Sequence, residues 1–491
     1  MEWTRAKRYT PYAKWSAGKL LSLQSEAANS SYQMRYHIRP LSGLLNDPNG
    51  FSYFNGNYHV FYQSFPFGAV HGLKSWVHMQ SSDLVHWGNR GLAIAPGTDP
   101  KSYDNAGAYS GSAMAIDDRL FLMYTGNHRT PDWVRIPYQC GAWMDKSGKV
   151  TKLDHYLFKN PAQFSEHFRD PQIMKHNGSY YCLLGAQEKD NKTGHLDLWK
   201  SADLKDWQEV GTVDFGVKNA GYMIECPNLV FVDGKAVLVF CPQGLDKKIA
   251  DYDNVYPNMY VVGDSFDFEH AKLVNPSPLK NLDDGFDVYA SQCFNAPDGT
   301  PYVISWVGLP DSTYPTDDEE WANCLSQAKR LKMVHGELTQ EPVEAMKSLR
   351  LEDQAVKTAN QQGIQAQTGN QYELLVDINA NQHGSLQLAA GDGQHHLDLN
   401  FDTAAGKLVV DRGQSGAAVN PKYGTQRMVS LPAGRDLKLH VFVDHSLCEI
   451  FVNDGQSVIT LRFFAPEGNT AVQFDNDNVK YQAQYWPLQE M

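Results

Sequence analysis

Residues 51–62 read FSYFNGNYHVFY, and this stretch gives the clearest indication of the fold. Aromatic and β-branched residues stand on both sides of the dipeptide Asn55-Gly56. Asn-Gly readily adopts the positive φ angles that a two-residue hairpin turn requires, and the flanking residues favour strands. The stretch therefore predicts two antiparallel strands joined by a tight turn.

The same hairpin pattern occurs four more times along the chain. Its turns are Asp117-Asp118, Asn177-Gly178, Asp233-Gly234 and Asp298-Gly299, and successive turns are 62, 60, 56 and 65 residues apart. A second motif agrees with this spacing, because residues 82–87 (SDLVHW) resemble residues 202–207 (ADLKDW), two repeats later. Repeats of about 60 residues, each forming a small meander, are typical of propeller blades. We therefore expect an all-β chain whose larger part is a five-bladed β-propeller.

The sequence pattern changes near residue 350. Alternating strand-like segments follow, separated by Asp, Asn and Gly, such as residues 437–443 (LKLHVFV), 448–452 (CEIFV) and 458–464 (VITLRFF). Such segments predict a β-sandwich. The predicted organisation is an N-terminal helical extension over 1–35, the propeller with the catalytic site over 36–350, and a β-sandwich over 355–491.

Composition and charge exclude several classes of protein. The 491 residues carry a net charge of −13, which disfavours nucleic acid and anionic membranes as partners. The seven cysteines stand singly, without a C-x-x-C pair, as in proteins with reduced thiols. No apolar run reaches the length of about 20 residues that spans a bilayer. We expect a cytoplasmic protein with neither a nucleic-acid nor a membrane partner.

Polar residues recur seven or eight residues before the predicted turns. Asp47 and Glu225 each precede their turn by 8 residues, and Ser110 and Asp170 precede theirs by 7. Equivalent positions in a propeller converge at one end of the central axis, so three carboxylates are expected to share one funnel. Mutual repulsion should raise the pKa of at least one of them.

Three carboxylates in an aromatic-rich funnel suit the cleavage of a glycosidic bond. One acid protonates the departing oxygen, a second attacks or activates water, and a third can orient sugar hydroxyls. A divalent cation is the alternative use of such a cluster, but neither a D-x-D-x-D-G loop nor paired histidines accompany it. We therefore expect a small-molecule sugar or sugar phosphate as the substrate, with no metal and no cofactor.

Three ordered motifs carry a family resemblance. Residues 44–50 (LLNDPNG), 168–171 (FRDP) and 225–228 (ECPN) together resemble the signatures of the invertase, or β-fructofuranosidase, family of glycoside hydrolases. Residues 44–45 and 221–224 (GYMI) are similar to its bacterial intracellular sucrose-6-phosphate hydrolase branch. The resemblance implies a retaining enzyme in which Asp47 is the nucleophile, Glu225 the general acid/base and Asp170 the transition-state stabiliser. Repulsion between the acids is expected to raise the pKa of Glu225, and Arg169 to offset the charge of Asp170.

The same resemblance implies a wider set of substrate-binding residues. These are Leu44, Leu45, Asn46, Gln63, Trp76, Tyr109, Ser110, Arg169 and Trp306. For a phosphate group we expect His71 and Lys74 on the loop before Trp76, with Arg129 and Arg135 as weaker candidates.

The substrate that the sequence favours is sucrose 6-phosphate, hydrolysed to glucose 6-phosphate and fructose, with sucrose also accepted. Unphosphorylated sucrose or fructo-oligosaccharides remain an alternative, as do an inverting pentosidase and a non-catalytic carbohydrate-binding propeller. The sandwich is expected to support the propeller or to form a contact between subunits.

Overall fold

A computed structural model describes residues 2–360, 363–365 and 369–490. Residues 1, 361–362, 366–368 and 491 belong to the predicted ranges 1–35 and 355–491 but lie outside the described residues. Before the first strand, the described chain forms α1 (Arg5–Arg8), a 3-10 helix (Tyr12–Lys14) and α2 (Ala17–Ala28). Thr4 and Ser16 cap the two α-helices, because their side chains accept from the backbone N–H of Lys7 and Lys19.

Six sheets follow in the part of the chain up to residue 342, five larger ones built mainly from antiparallel hairpins and one of two strands. The first three contain, in order, β1 (Gly43–Phe54), β2 (Asn57–Phe65), β3 (Ser75–Ser81) and β4 (Trp87–Ile94); β5 (Ala108–Ile116), β6 (Arg119–Arg129), β7 (Arg135–Met144) and β8 (Val150–Lys159); and β9 (Phe164–His176), β10 (Ser179–Glu188), β11 (Gly194–Ser201) and β12 (Trp207–Thr212).

The fourth sheet contains β13 (Met223–Val232), β14 (Lys235–Gln243), β15 (Met259–Gly263) and, after the small hairpin of β16 (Ser265–Asp267) and β17 (Lys272–Val274), β18 (Lys280–Asn281). The fifth contains β19 (Val288–Asn295), β20 (Pro301–Val307), β22 (Cys324–Leu325), β23 (Lys329–Val334) and β24 (Glu337–Pro342). The remaining short strand, β21 (Trp321–Ala322), pairs in parallel with Gly43 and Leu44 of β1.

These sheets form a closed ring of blades. The first strands of the five sheets, β1, β5, β9, β13 and β19, contact one another in sequence, and β19 also contacts β1. The β1–β21 pair adds backbone hydrogen bonds between the first blade and the segment that connects β20 to β22 in the fifth blade. The predicted five-bladed propeller is confirmed.

Four of the predicted turns join their strands as expected. Asn55, Asp117, Asn177 and Asp233 all have positive φ angles, between 46° and 52°. The fifth hairpin differs, because its ladder ends at Asn295 and Pro301 and leaves a longer loop around Asp298-Gly299. The sequence therefore located this hairpin but not the length of its turn.

All five inner strands carry a β-bulge at the same height. In each bulge the inner strand contains one residue more than the facing segment of its neighbour. The bulges span residues 45–48, 108–111, 169–172, 225–228 and 289–292. A bulge bends the strand and re-aims a side chain. Pro48, Pro171 and Pro227 lie at three of them, where the ladder needs no N–H donor.

The C-terminal part is a sandwich of two six-stranded sheets in the residues described after 355. Their orders are β25-β36-β27-β32-β33-β34 and β26-β35-β28-β29-β30-β31. The strands are β25 (Val356–Ala359), β26 (Gly363–Gln365), β27 (Gln371–Ile378), β28 (His383–Ala390), β29 (Leu397–Asp402), β30 (Lys407–Asp411), β31 (Gln426–Ser430), β32 (Leu437–Asp444), β33 (Leu447–Val452), β34 (Ser457–Arg462), β35 (Ala471–Phe474) and β36 (Tyr481–Pro487). Apolar residues of both sheets form one core between them.

Buried charges join the two parts of the molecule. His37, just before the propeller, lies 2.8 Å through Nδ1 from Asp444 and 3.0 Å through Nε2 from Glu449 of the sandwich. Arg412 Nη1 likewise donates to Asp287 Oδ2 at 2.6 Å. The sandwich predicted from alternation is confirmed, whereas the exact ranges 1–35, 36–350 and 355–491 stay predictions. No helix among the described residues is long and apolar enough to cross a membrane.

Candidate active site

The three acids come together because each lies at or beside the bulge of an inner strand. Asp47 and Asp170 are inside the bulges of β1 and β9, and Glu225 directly precedes that of β13. The thiol of Cys226 lies between two of them, 3.6 Å from Asp47 Oδ2 and 3.7 Å from Asp170 Oδ2. Residues separated by up to 178 positions in the chain therefore share one site.

Asp47 is surrounded by hydrogen-bond donors. Asn46 Nδ2 donates to its Oδ1 at 3.0 Å, Gln63 Nε2 donates to its Oδ2 at 3.3 Å, and the Ser110 hydroxyl also donates to Oδ2. Gln63 and Ser110 are hydrogen-bonded to each other as well. These contacts fix the orientation of the carboxylate and stabilise its ionised form.

Glu225 is held by three side chains. Arg169 donates to its Oε1 through Nε at 2.9 Å and through Nη2 at 2.7 Å. Gln243 Nε2 and the Tyr289 hydroxyl donate to its Oε2 at 2.8 and 2.7 Å. Both oxygens of Glu225 are therefore occupied by donors.

Asp170 has a different environment. Its backbone φ of 65° turns the side chain toward Cys226, whose backbone N–H donates to Oδ2 at 3.0 Å. Its own N–H donates to the Thr125 hydroxyl at 3.1 Å. The closest approach of Arg169 to this carboxylate is 4.0 Å, which is longer than a hydrogen bond.

The pKa values of the acids follow from these contacts. Burial, with the negative charges of Glu225 and Asp47, raises the pKa of Asp170 to about 7 despite the opposing charge of Arg169. Burial also raises the pKa of Asp47, although its hydrogen bonds oppose this. For Glu225, burial is outweighed by the charge of Arg169 and by donation from Tyr289 and Arg169, so its pKa is lowered.

One electrostatic expectation is therefore wrong, and a second is confirmed. The raised pKa belongs to Asp170 and Asp47 rather than to Glu225, because Arg169 binds Glu225 through two nitrogens. Arg169 does offset part of the charge of Asp170, as expected, although its closest approach to that carboxylate is 4.0 Å and its hydrogen bonds go to Glu225.

The two residues of the predicted phosphate site differ in their exposure and in their contacts. Lys74 is 3% exposed, and its ammonium donates to Asn46 Oδ1, beside the Asp47 carboxylate. Burial lowers the pKa of Lys74 to about 7, while the charge of Asp47 opposes this shift. His71 is exposed and its ring lies 6.3 Å from that of Trp306, edge to face. Lys74 therefore supports Asn46 and Asp47 from beneath, and only His71 faces the opening.

The aromatic and leucine candidates also differ in how deeply they are buried. Trp76 is fully buried, and its indole N–H donates to the backbone carbonyl of Tyr109 at 3.0 Å. Tyr109 is partly exposed, and Trp306 packs edge to face on Tyr289 at 6.0 Å. Leu44 and Leu45 are buried core residues of β1. Trp76 and the two leucines thus hold the strands in place, whereas Tyr109 lies at the opening.

Sequence reasoning missed Tyr289, Gln243 and Cys226 as members of the site. Tyr289 precedes the bulge of β19 as Glu225 precedes that of β13, so the phase of the repeat could have found it. Gln243 stands two residues beyond Cys241, the register partner of Glu225, and therefore shares a face with it. The thiol of Cys226 lies between two carboxylates, and the side chain also packs against the propeller core.

A small cavity lies beside Asp170, between residues of all five inner strands. The cavity there has a volume of about 10 Å³ and is lined mainly by residues of the bulges, among them Pro48, Gly111, Pro171 and Gln292. That space is enough for about one water molecule and too small for a sugar. Within the described chain, no group of three or more His, Cys, Asp or Glu side chains is arranged to hold a metal ion.

Known proteins resemble this chain over its whole length. The model of the glycosyl hydrolases family 32 N-terminal domain matches residues 37–342, and that of the family 32 C-terminal domain matches residues 343–487. Sucrose-6-phosphate hydrolase of Streptococcus mutans is 46% identical over 467 residues, which are 95% of each chain. That of Lactococcus lactis is 45% identical, covering 97% of this chain and 98% of the relative.

Solved structures of the same family resemble this chain in their fold. The sucrose-6-phosphate hydrolase structure from Lactobacillus gasseri has a TM-score of 0.97, with 56% identity and full coverage of both chains. The family 32 β-fructofuranosidase of Bombyx mori has a TM-score of 0.84 with 28% identity, covering 96% of this chain and 97% of that one. Two family models that together match most of the chain, and relatives well above 30% identity, show that this protein belongs to glycosyl hydrolase family 32 and is a glycosidase.

Proposed function

We propose that this protein is a retaining glycosidase that hydrolyses sucrose 6-phosphate to glucose 6-phosphate and fructose. The observation that carries the proposal is the arrangement of Asp47 and Glu225, one acid surrounded by neutral donors and the other held by Arg169 and Tyr289. The relatives named sucrose-6-phosphate hydrolase, at 44–46% identity, support the substrate.

In the first step, Asp47 attacks the anomeric carbon of the fructosyl unit while Glu225 gives a proton to the departing glucosyl oxygen. Attack requires an ionised Asp47, and donation from Asn46 and Ser110 favours that form. In the second step, Glu225 takes a proton from water, which displaces Asp47 and releases fructose with the configuration retained. Asp170 accepts hydrogen bonds from the furanose hydroxyls and stabilises the charge of the transition state.

The starting proton needs a source, because Arg169 favours ionised Glu225. Burial raises the pKa of Asp170 to about 7 and raises that of Asp47 as well, so the proton near neutral pH belongs to the coupled carboxylates of the free enzyme. We expect hydroxyl groups of the bound sugar to accept from Arg169, which weakens its contact with Glu225 and so raises the pKa of that acid toward the protonated form. The three acids are thus expected to titrate as a group.

An assay of three substrates tests the proposed function. We expect kcat/KM for sucrose 6-phosphate to exceed that for sucrose at least tenfold and that for inulin by more. Asp47→Asn should lower both sucrose activities on the order of 10³-fold or more, as the loss of a nucleophile does. Proton NMR should find β-fructofuranose as the first product. Equal values for sucrose and sucrose 6-phosphate, or inversion, would contradict the proposal.

A β-fructofuranosidase acting on unphosphorylated sucrose is the second candidate. The Bombyx mori structure, which carries that name and aligns over 96% of this chain, favours it.

Because the described cysteines are all free thiols, and a phosphorylated sugar is an intracellular compound, we propose that the enzyme works in the cytoplasm. A subunit contact through the sandwich stays a prediction.

A further inference from the structure

Two arginines of the second blade face each other at the opening of the site. Arg129 ends β6, Arg135 begins β7, and the two are register partners across the ladder. Like charges directly opposite each other in a sheet are destabilising. A pair of this kind, joined by a five-residue loop, therefore needs a counter-charge.

The donors of these arginines are only partly used. Nε and Nη2 of Arg135 and Nε of Arg129 are buried and donate to no residue that the structure describes. Arg129 Nη1 donates to the carbonyl of Trp133 at 3.0 Å. A buried guanidinium without an acceptor is costly, so Arg135 presents an unmet requirement for an anion.

Arg135 lies over Tyr109 and close enough to the predicted acid/base to influence it. Its guanidinium is 5.2 Å above the ring of Tyr109, which is at the opening. It is also within electrostatic reach of Glu225, the acid that would protonate the leaving oxygen, and of Asp170. Because Glu225 would protonate the leaving oxygen, we expect the departing sugar, and a group attached to it, to lie within reach of Arg135.

The N-terminal segment, through Arg8 and Tyr9, packs beside the two arginines. Tyr9 stacks edge to face on Trp133 at 4.9 Å, and its hydroxyl interacts with Tyr109 and with the charges of both arginines. The backbone carbonyl of Arg8 accepts from the N–H of Leu73 at 2.8 Å, which ties the segment to the loop of His71. Glu166, half exposed, is the carboxylate outside the three catalytic candidates that faces Arg135.

Lys74 does not offer a comparable site. Its ammonium is buried beside Asn46 and Asp47, at the fructosyl end, where it already has an acceptor. A phosphate on the glucosyl unit is at the other end of the substrate. We therefore propose that Arg135, with Arg129 and Tyr9, binds the phosphate group of the sugar phosphate at the leaving-group end of the site.

Phosphate suits these residues chemically. A guanidinium matches two phosphate oxygens with parallel N–H donors, and a phosphate monoester is close to a dianion at neutral pH. One such group near the guanidinium would balance the charge of Arg135 and screen the repulsion between Arg135 and Arg129. This inference rests on the proposed function, since it specifies how the phosphorylated substrate is preferred.

Substitution of Arg135 tests the inference on the full-length enzyme. We expect Arg135→Met to lower kcat/KM for sucrose 6-phosphate at least tenfold while changing that for sucrose less than threefold. Arg135→Lys should recover part of the loss, because it restores charge without the two parallel donors. Arg119→Met is the matched control, since Arg119 stacks on Trp143 at the other end of β6 and should leave both values unchanged.

The outcomes separate the two proposals. A wild-type enzyme without preference for sucrose 6-phosphate would overturn the proposed function. Wild-type preference that survives in Arg135→Met would overturn the phosphate site and leave the function intact. Equal losses on both substrates would also overturn the site, because they would reveal a role in tuning Glu225 or in folding.

Product inhibition identifies the source of the phosphate. Glucose 6-phosphate should inhibit wild-type sucrose hydrolysis more strongly than glucose does, and Arg135→Met should remove the difference. Inorganic phosphate at the same concentration should inhibit less than glucose 6-phosphate. Stronger inhibition by inorganic phosphate would point to a general anion site and contradict the inference.

Discussion

Arg169 decides how protons are distributed among the three carboxylates. It donates twice to Glu225 and lowers the pKa of that acid, whereas burial and the neighbouring carboxylates raise the pKa of Asp170 although the charge of Arg169 opposes the rise. The residue next to Asp170 in sequence thus acts on a carboxylate 56 positions away.

Replacing Arg169 should change the pH dependence of the reaction. Arg169 lowers the pKa of Glu225 and opposes the rise for Asp170, so Arg169→Met should raise both values. The alkaline limb of kcat/KM, which we expect near pH 7 in the wild type, should then move to higher pH. The maximal rate should fall by about 10²-fold or more, because the substrate loses a charged donor.

Rate profiles between pH 4 and 10 on sucrose measure this shift. Gln243→Leu is a suitable comparison, since it removes a neutral donor to Glu225 and should move the limb much less. An alkaline limb that stays in place in Arg169→Met would contradict the assigned electrostatics.

At the scale of elements, the common bulge of the inner strands builds the site. Gly111, in the bulge of β5, has no room for a side chain, because a Cβ would come within 1.9 Å of the Met123 carbonyl and 2.6 Å of Tyr124 Cα. Both obstacles are backbone atoms of β6, which the ladder holds in place.

Gly111→Ala should therefore displace β5 and move Ser110 away from Asp47. We expect a loss of about 1–3 kcal/mol in the free energy of unfolding, as for overpacking, together with a clear fall in kcat. Gly18→Ala is the control, since Gly18 of α2 has open space around it and alanine favours a helix by about 1 kcal/mol. Thermal unfolding and sucrose assays of both variants provide the measurement, and unchanged activity in Gly111→Ala would contradict the role of the bulge.

The sequence predicted those features that depend on a residue type with a single strong backbone preference. Asn-Gly and Asp-Gly turns predicted the hairpins, and the similar distance from turn to acid predicted which carboxylates meet. The bulges were not predicted, although the prolines at 48, 171 and 227 mark them. The partner of Arg169 could not be predicted either, because it depends on the positive φ of Asp170 and on the relative placement of two blades.

At the scale of the molecule, His37 joins the propeller to the sandwich. Although burial lowers it, hydrogen bonds and attraction from Asp444 and Glu449 raise the pKa of His37 to about 9. The pKa is thus higher in the folded state than the value near 6.5 of the unfolded chain. This stabilisation, on the order of 3 kcal/mol, is fully present below about pH 6.5 and is lost as the pH rises through about 9.

Melting temperatures between pH 6 and 10 test this coupling. The wild type should lose stability across pH 6.5 to 9, whereas His37→Gln should be less stable at pH 6 and vary less over the same interval. His86→Gln is the control, since His86 pairs with Asp83 on the exposed surface and should keep the wild-type profile. A wild-type profile flat from pH 6.5 to 9 would contradict the assigned charge of His37.

The parallel pair of β1 and β21 also sets the order of events during synthesis. The strand that carries Asp47 leaves the ribosome early, but its partner at residues 321–322 emerges about 280 residues later. At 5–20 residues per second, translation of that interval takes roughly 15–60 s. During this time the nascent chain holds exposed blade edges and no closed ring, so a chaperone has the opportunity to protect them, and a message truncated before codon 321 yields no working enzyme.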